Sequence, residues 1–104
     1  EAQFKQGNLA GAATTLNIIR ARANATPVAA TDVTMDFILD ERARELLAEE
    51  NRRMTLMRTG TLLTRVVGRG VKITGLTSKN LLFPIPLSEI QLNKDAVLEQ
   101  NPGY

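Results

Sequence analysis

At 104 residues the chain has room for one small domain or a piece of a larger one. Hydrophobic residues make up 43% and charged residues 23%, enough to bury a core and unlike a disordered chain. A net charge of +2, from nine Arg and four Lys against eleven carboxylates, is too small a surplus for a nucleic-acid binder. With no Cys there are no disulfides and no thiolate metal sites, and with no His the commonest general base and metal ligand is missing. Three Phe, one Tyr and no Trp leave few flat side chains on which sugars or bases stack. No apolar run approaches the ~20 residues that span a bilayer. The opening Glu1-Ala2-Gln3 is no export leader, so any such signal is expected upstream.

From Glu1 to Asn24 the pattern predicts the end of one helix, a tight turn and a second helix. Gly7 suits a left-handed position after a helix end, and Asn8 can cap the second helix. Leu9, Ala12, Ala13, Leu16, Ile19 and Ala23 then recur at helical spacing. The stretch Phe4 to Ala12 resembles the helix-turn-helix junction of a tetratricopeptide repeat, and the chain contains no second copy. A linker rich in Ala and Thr, broken by Pro27, leads to Thr34. There the longest helical pattern begins; it is expected to run to Arg58 as one charged helix, with Gly60 as its stop. Leu62, Leu63, Val66 and Val67 read as a fraying helix or short strand. Gly68-Arg69-Gly70 reads as a turn, and Val71 and Ile73 as a short extended piece. Pro84 and Pro86 impose extended backbone on Leu81 to Pro86, and Ser88 can cap one helical turn through Leu92. Residues 81–104 thus read as an extended, Pro-rich tail.

On a wheel of about 100° per residue, Met35, Ile38, Leu39, Leu46, Leu56 and Met57 share one apolar sector, with Ala43 at its margin. An ordinary amphipathic helix keeps charge out of that sector. Here Arg42, Glu49 and Arg53 project into it, and Glu45 and Glu50 flank it. Arg42 with Glu45, Glu49 with Arg53, and Glu50 with Arg53 stand three or four residues apart, as does the outer pair Asp40 with Arg44. The spacing predicts a structural ion-pair network of Arg42, Glu45, Glu49 and Arg53 that fixes how the helix docks. A solvated, salt-bridged surface helix is the plainer alternative. A catalytic carboxylate pair is disfavoured, because each carboxylate has an arginine in reach that favours its ionised form.

These residues also carry a family resemblance. Ile38-Leu39-Asp40-Glu41-Arg42-Ala43-Arg44-Glu45-Leu46, then Glu49, Arg52 and Leu56-Met57-Arg58-Thr59-Gly60, resembles the signature helix of the SusD/RagB family. Leu82 to Ile90 is similar to that family's late Pro-Ile-Pro motif, and Gln100-Asn101-Pro102-Gly103-Tyr104 to its chain end. Asn17 to Ala23, with Arg20 and Arg22, is similar to the helix preceding the signature. The chain departs from the pattern at Glu50 and Arg53, where the family often has Gly and an aromatic residue, and at Thr55, where it often has Asp.

The resemblance implies an all-α fold: a tetratricopeptide-like helical hairpin (residues 1–24), the signature helix (34–58) and the extended tail (81–104). It implies the C-terminal part of a glycan- or nutrient-binding component of an outer-membrane polysaccharide uptake system, with no catalytic role and no cofactor. The expected partner is a SusC-type TonB-dependent transporter at the bacterial cell surface. Membrane attachment would come through an upstream lipid anchor that is not in this chain. The oligosaccharide is expected to bind mainly outside the chain, and no ligand-contacting residue can be assigned. A helical protein–protein scaffold with no small-molecule ligand is the alternative function, and self-association of the chain is expected from exposed apolar surface.

Among the remaining motifs, Gly68-Arg69-Gly70 lacks any phosphate-loop context and reads as a turn. Arg20 and Arg22 are expected to meet carboxylates, and a hydrolase triad cannot form without His. Phe83 and Tyr104 are the only candidates for sugar stacking, and packing roles suit them better.

Overall fold

A short first helix reverses into a longer second one because two residues at the junction suit the two jobs there. Gly7 adopts φ +76° after α1 (Ala2–Lys5), a conformation that costs a side-chain-bearing residue ~1–2 kcal/mol. Asn8 then caps α2 (Leu9–Arg22), its side chain accepting a hydrogen bond from the Gly11 amide at 2.9 Å. Both were legible in the sequence. The computed structural model describes residues 1–68 and 73–104 and divides into two units, Glu1–Glu50 and Asn51–Tyr104. Among the described residues it is all-helical, with six α-helices, two 3₁₀ turns and no strand.

In Glu1–Glu50 the core is Ala12, Ala13, Val28, Val33 and Ile38, with Phe4, Leu16 and Phe37 packed against it. Small side chains at positions 12 and 13 let the linker lie directly on α2. The linker is extended, and an extended segment inside a helical unit has no ladder to satisfy its peptide groups. Asn17 supplies the substitute. Its side-chain amide donates to the Val28 carbonyl at 3.0 Å and accepts from the Val28 amide at 2.8 Å. A 3₁₀ turn (Ala30–Asp32) comes next. Thr34 then caps α3 (Met35–Glu45) by accepting from the Phe37 amide at 3.0 Å. Helix α3 buries Ile38 and Leu39, the latter with no exposed surface.

The expected single helix over residues 34–58 is divided. Helix α3 stops at Glu45, residues 46–50 turn, and α4 (Arg52–Arg58) begins afresh. The turn is set by Ala48 at φ +66°, while the Glu49 and Glu50 amides both donate to the Leu46 carbonyl at 3.0 Å. Asn51 restarts the helix, its side chain accepting from the Met54 amide at 3.4 Å. The break escapes a propensity reading because Leu-Leu-Ala-Glu-Glu is made of good helix formers. The capping asparagine was the available signal.

In Asn51–Tyr104, α4 ends at Thr59 and Gly60 takes φ +69°, the stop expected of it. Residues 62–67, whose pattern fits a fraying helix or a short strand, form α5 (Leu62–Val67), and Leu56 and Leu62 are both buried. The turn and extended piece expected at Arg69, Gly70 and Val71 lie outside the described residues. A second 3₁₀ turn (Ser78–Leu81) leads into extended backbone at Leu82 (φ −122°, ψ 163°) that persists to Pro86 (φ −54°, ψ 135°). Helix α6 (Leu87–Leu92) starts directly after Pro86, one residue before the expected Ser88 cap, with no side-chain cap. Pro86 explains this: it stands at the helix entrance as the N-cap, where its fixed φ is tolerated and a missing N–H costs nothing.

The linker and the turn can each be tested by one substitution. Asn17→Ala strands both peptide groups of Val28, so urea melts should show a loss of about 1–3 kcal/mol. Ala48→Gly removes a left-handed alanine and adds unfolded-chain entropy; the balance should raise stability by about 0.5–1 kcal/mol in the same melts.

Candidate functional site

Charged side chains in α2 and α3 dominate the chemistry of Glu1–Glu50. Arg20 is the hub. Its Nη1 donates to Glu41 Oε2 at 2.8 Å and its Nε to the Thr26 carbonyl at 2.7 Å. Its guanidinium also lies 5.3 Å from the centre of the Phe37 ring. Glu41 Oε2 accepts a second bond from Arg44 Nη2 at 2.6 Å. The Arg20 and Glu41 side chains are only 15% and 10% exposed, so this pair is largely withdrawn from water, whereas Arg44 keeps 59% of its surface. Arg22 pairs with Glu45 nearer the surface. Arg42 pairs with Glu50 across the turn that ends α3, its Nε donating to Glu50 Oε1 at 2.9 Å.

Of the four residues that spacing joined into one network, Arg42, Glu45 and Glu49 belong to Glu1–Glu50 and Arg53 to Asn51–Tyr104, and each is described within its own unit. Arg42 and Glu45 are half-buried and ion-paired, but with Glu50 and Arg22 instead of each other. Glu49 is exposed in the turn. Arg53 is exposed on α4, where it donates to the Asn80 carbonyl at 3.1 Å and stacks 4.5 Å from the centre of the Phe83 ring. The pairings assumed an unbroken helix; ending it at Glu45 changes the register of everything beyond. Glu41 and Arg20, the most deeply placed pair, were not foreseen together. They stand 21 residues apart on different helices, and three-or-four spacing reports only neighbours on one helix. The expectation that Arg20 and Arg22 meet carboxylates is met at Glu41 and Glu45.

In Asn51–Tyr104 the tail is held by side-chain amides. Gln100 Nε2 donates to the Ile85 carbonyl at 2.9 Å, and the Ile85 amide donates to Gln100 Oε1 at 2.7 Å. Asn101 Nδ2 donates to the Phe83 carbonyl at 2.7 Å, and the Tyr104 hydroxyl to the Leu82 carbonyl at 3.2 Å. The tail blocks singled out by resemblance, 82–90 and 100–104, are therefore bonded to each other. Among the described residues no group of three or more Asp or Glu could hold a metal ion, and no helix is long and apolar enough to cross a membrane.

With this geometry in place, comparison with known proteins decides the family. The profile that describes the SusD family matches residues 1–104. The chain belongs to the SusD family. It is similar to the starch-binding protein SusD of Bacteroides thetaiotaomicron, with 37% identity over 109 residues. That alignment takes in 100% of this chain and 19% of the relative, so the chain spans about a fifth of that protein's length. No solved structure matches.

If the Arg20–Glu41 pair ties α2 to α3, Glu41→Gln should lower stability by roughly 2–4 kcal/mol, since it leaves arginine charge in a poorly hydrated place. Glu49→Gln, at the exposed turn, should change it by no more than about 0.5 kcal/mol. Denaturant midpoints at unchanged m-value separate the two; equal small losses would assign the pair to solvated surface.

Proposed function

We propose that the chain is the C-terminal part of a non-catalytic glycan-capture protein. In this reading the parent is lipid-anchored at the bacterial outer-membrane surface and acts with a SusC-type TonB-dependent transporter. The observation that carries it is the family match over all 104 residues, joined to 37% identity with a protein whose name records starch binding. The charged residues fit a non-catalytic role. Glu41, Glu45 and Glu50 each face an arginine at hydrogen-bonding distance, the arrangement of a scaffold and not of a proton-transfer pair. The ion pairs, Arg42 and Glu45 among them, are architectural. They orient α3 on α2 and leave ligand contact mainly to loops outside the chain. Helices α1 and α2 serve as a tetratricopeptide-like hairpin, and residues 81–104 as a tail laid over neighbouring structure.

The test is calorimetric and has two arms. The 104-residue chain, with one Tyr, three Phe and no Trp, should give no isotherm tighter than about millimolar, a regime of only ~4 kcal/mol, against starch, plant and host oligosaccharides. The parent-length protein should bind at least one member of that panel in the micromolar range and co-purify with a TonB-dependent transporter. A parent that binds no sugar and no transporter would sink the proposal. A micromolar isotherm for the short chain would move the principal site into it.

A further inference from the structure

The two units differ sharply in charge. Glu1–Glu50 holds five Lys and Arg against eight Asp and Glu, whereas Asn51–Tyr104 holds eight against three, a net −3 and +5. In the basic unit a cleft of ≈ 640 Å³ opens between the Ser78–Leu81 turn and the end of the tail, within the size range of small-ligand sites. Thr77, Ser78 and Lys79 line it together with Leu81, Leu82 and Pro102. None of the unit's three carboxylates, Glu89, Asp95 and Glu99, lines it. The ammonium of Lys79, one of the lining residues, stands 5.5 Å from the centre of the Tyr104 ring, which is 45% exposed.

The cleft is held in shape from both ends. Gly103 lies at φ +92°, and a Cβ built there would come 2.8 Å from the Cβ of Lys79, so the tail backbone rests flat on the lysine stem. The Tyr104 hydroxyl and the Asn101 amide fasten the tail to Leu82 and Phe83. Lys79 is an exposed residue whose stem is held under Gly103, which lowers the ordering cost of binding.

A pyranose ring has an apolar C–H face and a rim of hydroxyls, so a wall of leucine and proline beside two hydroxyl-bearing residues matches its two surfaces. A carboxylate on the ring would give Lys79 the counter-charge that no side chain lining the cleft provides. We infer that this cleft is a subsite for a hexuronic-acid unit of an acidic oligosaccharide. The ring lies on Leu82 and Pro102 beside Tyr104, its hydroxyls meet Thr77 and Ser78, and its carboxylate meets Lys79. The inference rests on the glycan-capture reading and narrows it to anionic ligands; one exposed cation and one aromatic edge make the subsite weak and accessory.

The experiment tracks backbone amide shifts of the ¹⁵N-labelled chain during titration with trigalacturonate, maltotriose and acetate. Trigalacturonate should shift the amides of residues 77–82, 103 and 104, with a Kd on the order of several millimolar. Maltotriose should bind at least tenfold more weakly, and acetate should give no shifts focused on these residues. Lys79→Met keeps the stem under Gly103 and should weaken trigalacturonate at least fivefold; raised salt should do the same. Unchanged shifts elsewhere in the variant report that it folds. Equal binding of maltotriose, or an undiminished response in Lys79→Met, overturns the anionic subsite and leaves glycan capture standing. Trigalacturonate shifts centred elsewhere, or none while the parent-length protein still binds sugars, remove the cleft alone. Loss of all sugar binding by the parent as well removes both.

Discussion

The architecture of the first fifty residues depends on one withdrawn ion pair. Arg20 on α2 reaches Glu41 on α3 while also holding the Thr26 carbonyl and covering Phe37, so one guanidinium touches both helices and the segment between them. A planar fork with five donors holds these partners in fixed directions, whereas a lysine ammonium is a point charge on a flexible stem that would hold them less rigidly. The hydrophobic core beside it is small and built largely of Ala and Val, which gives modest transfer energy and little directional information. Geometry is therefore set by charge-assisted hydrogen bonds, and the core fills in around them. A pair like this contributes little net stability; what it contributes is a single angle between α2 and α3.

Local signals in the sequence were readable where one residue has one job. Gly7, Asn8, Thr34 and Gly60 each mark a helix end through their own backbone or side chain, and each was found where expected. The division after Glu45 was hidden because Ala48 is an excellent helix former placed in a left-handed conformation, and no composition rule anticipates that. The ion pairs were half legible. The charges sit in an apolar register, which pointed to architecture, but their partners come from α2 and from the turn that ends α3. Wheel geometry assumes that both partners ride one helix, and Arg20–Glu41, Arg22–Glu45 and Arg42–Glu50 all break that assumption. Of the extended tail expected over 81–104, the prolines made only Leu82 to Pro86 legible, since Leu87–Leu92 is helical; that Gln100 and Asn101 fasten that stretch was not legible, because side-chain amides carry no periodicity.

Family membership and side-chain chemistry inform different parts of the functional reading. Similarity over the full chain places it in a family and beside a starch-binding relative. It says nothing about what the basic half does with its surplus charge. That question belongs to the local arrangement of Lys79, Tyr104 and the hydroxyls beside them, and a fold shared by many proteins leaves such an arrangement free to vary.

Asn17 and Gln100 solve one problem in the same way. Each turns a side-chain amide toward one extended residue, Val28 or Ile85, and satisfies its N–H and C=O together. Asn and Gln alone among side chains present the donor and acceptor that a neighbouring peptide would. The consequence concerns what the chain withholds from its surroundings. Extended backbone with open peptide groups is a template on which a foreign strand can add. By closing that template at Val28 and Ile85, the two amides leave less of each extended segment open to a foreign strand.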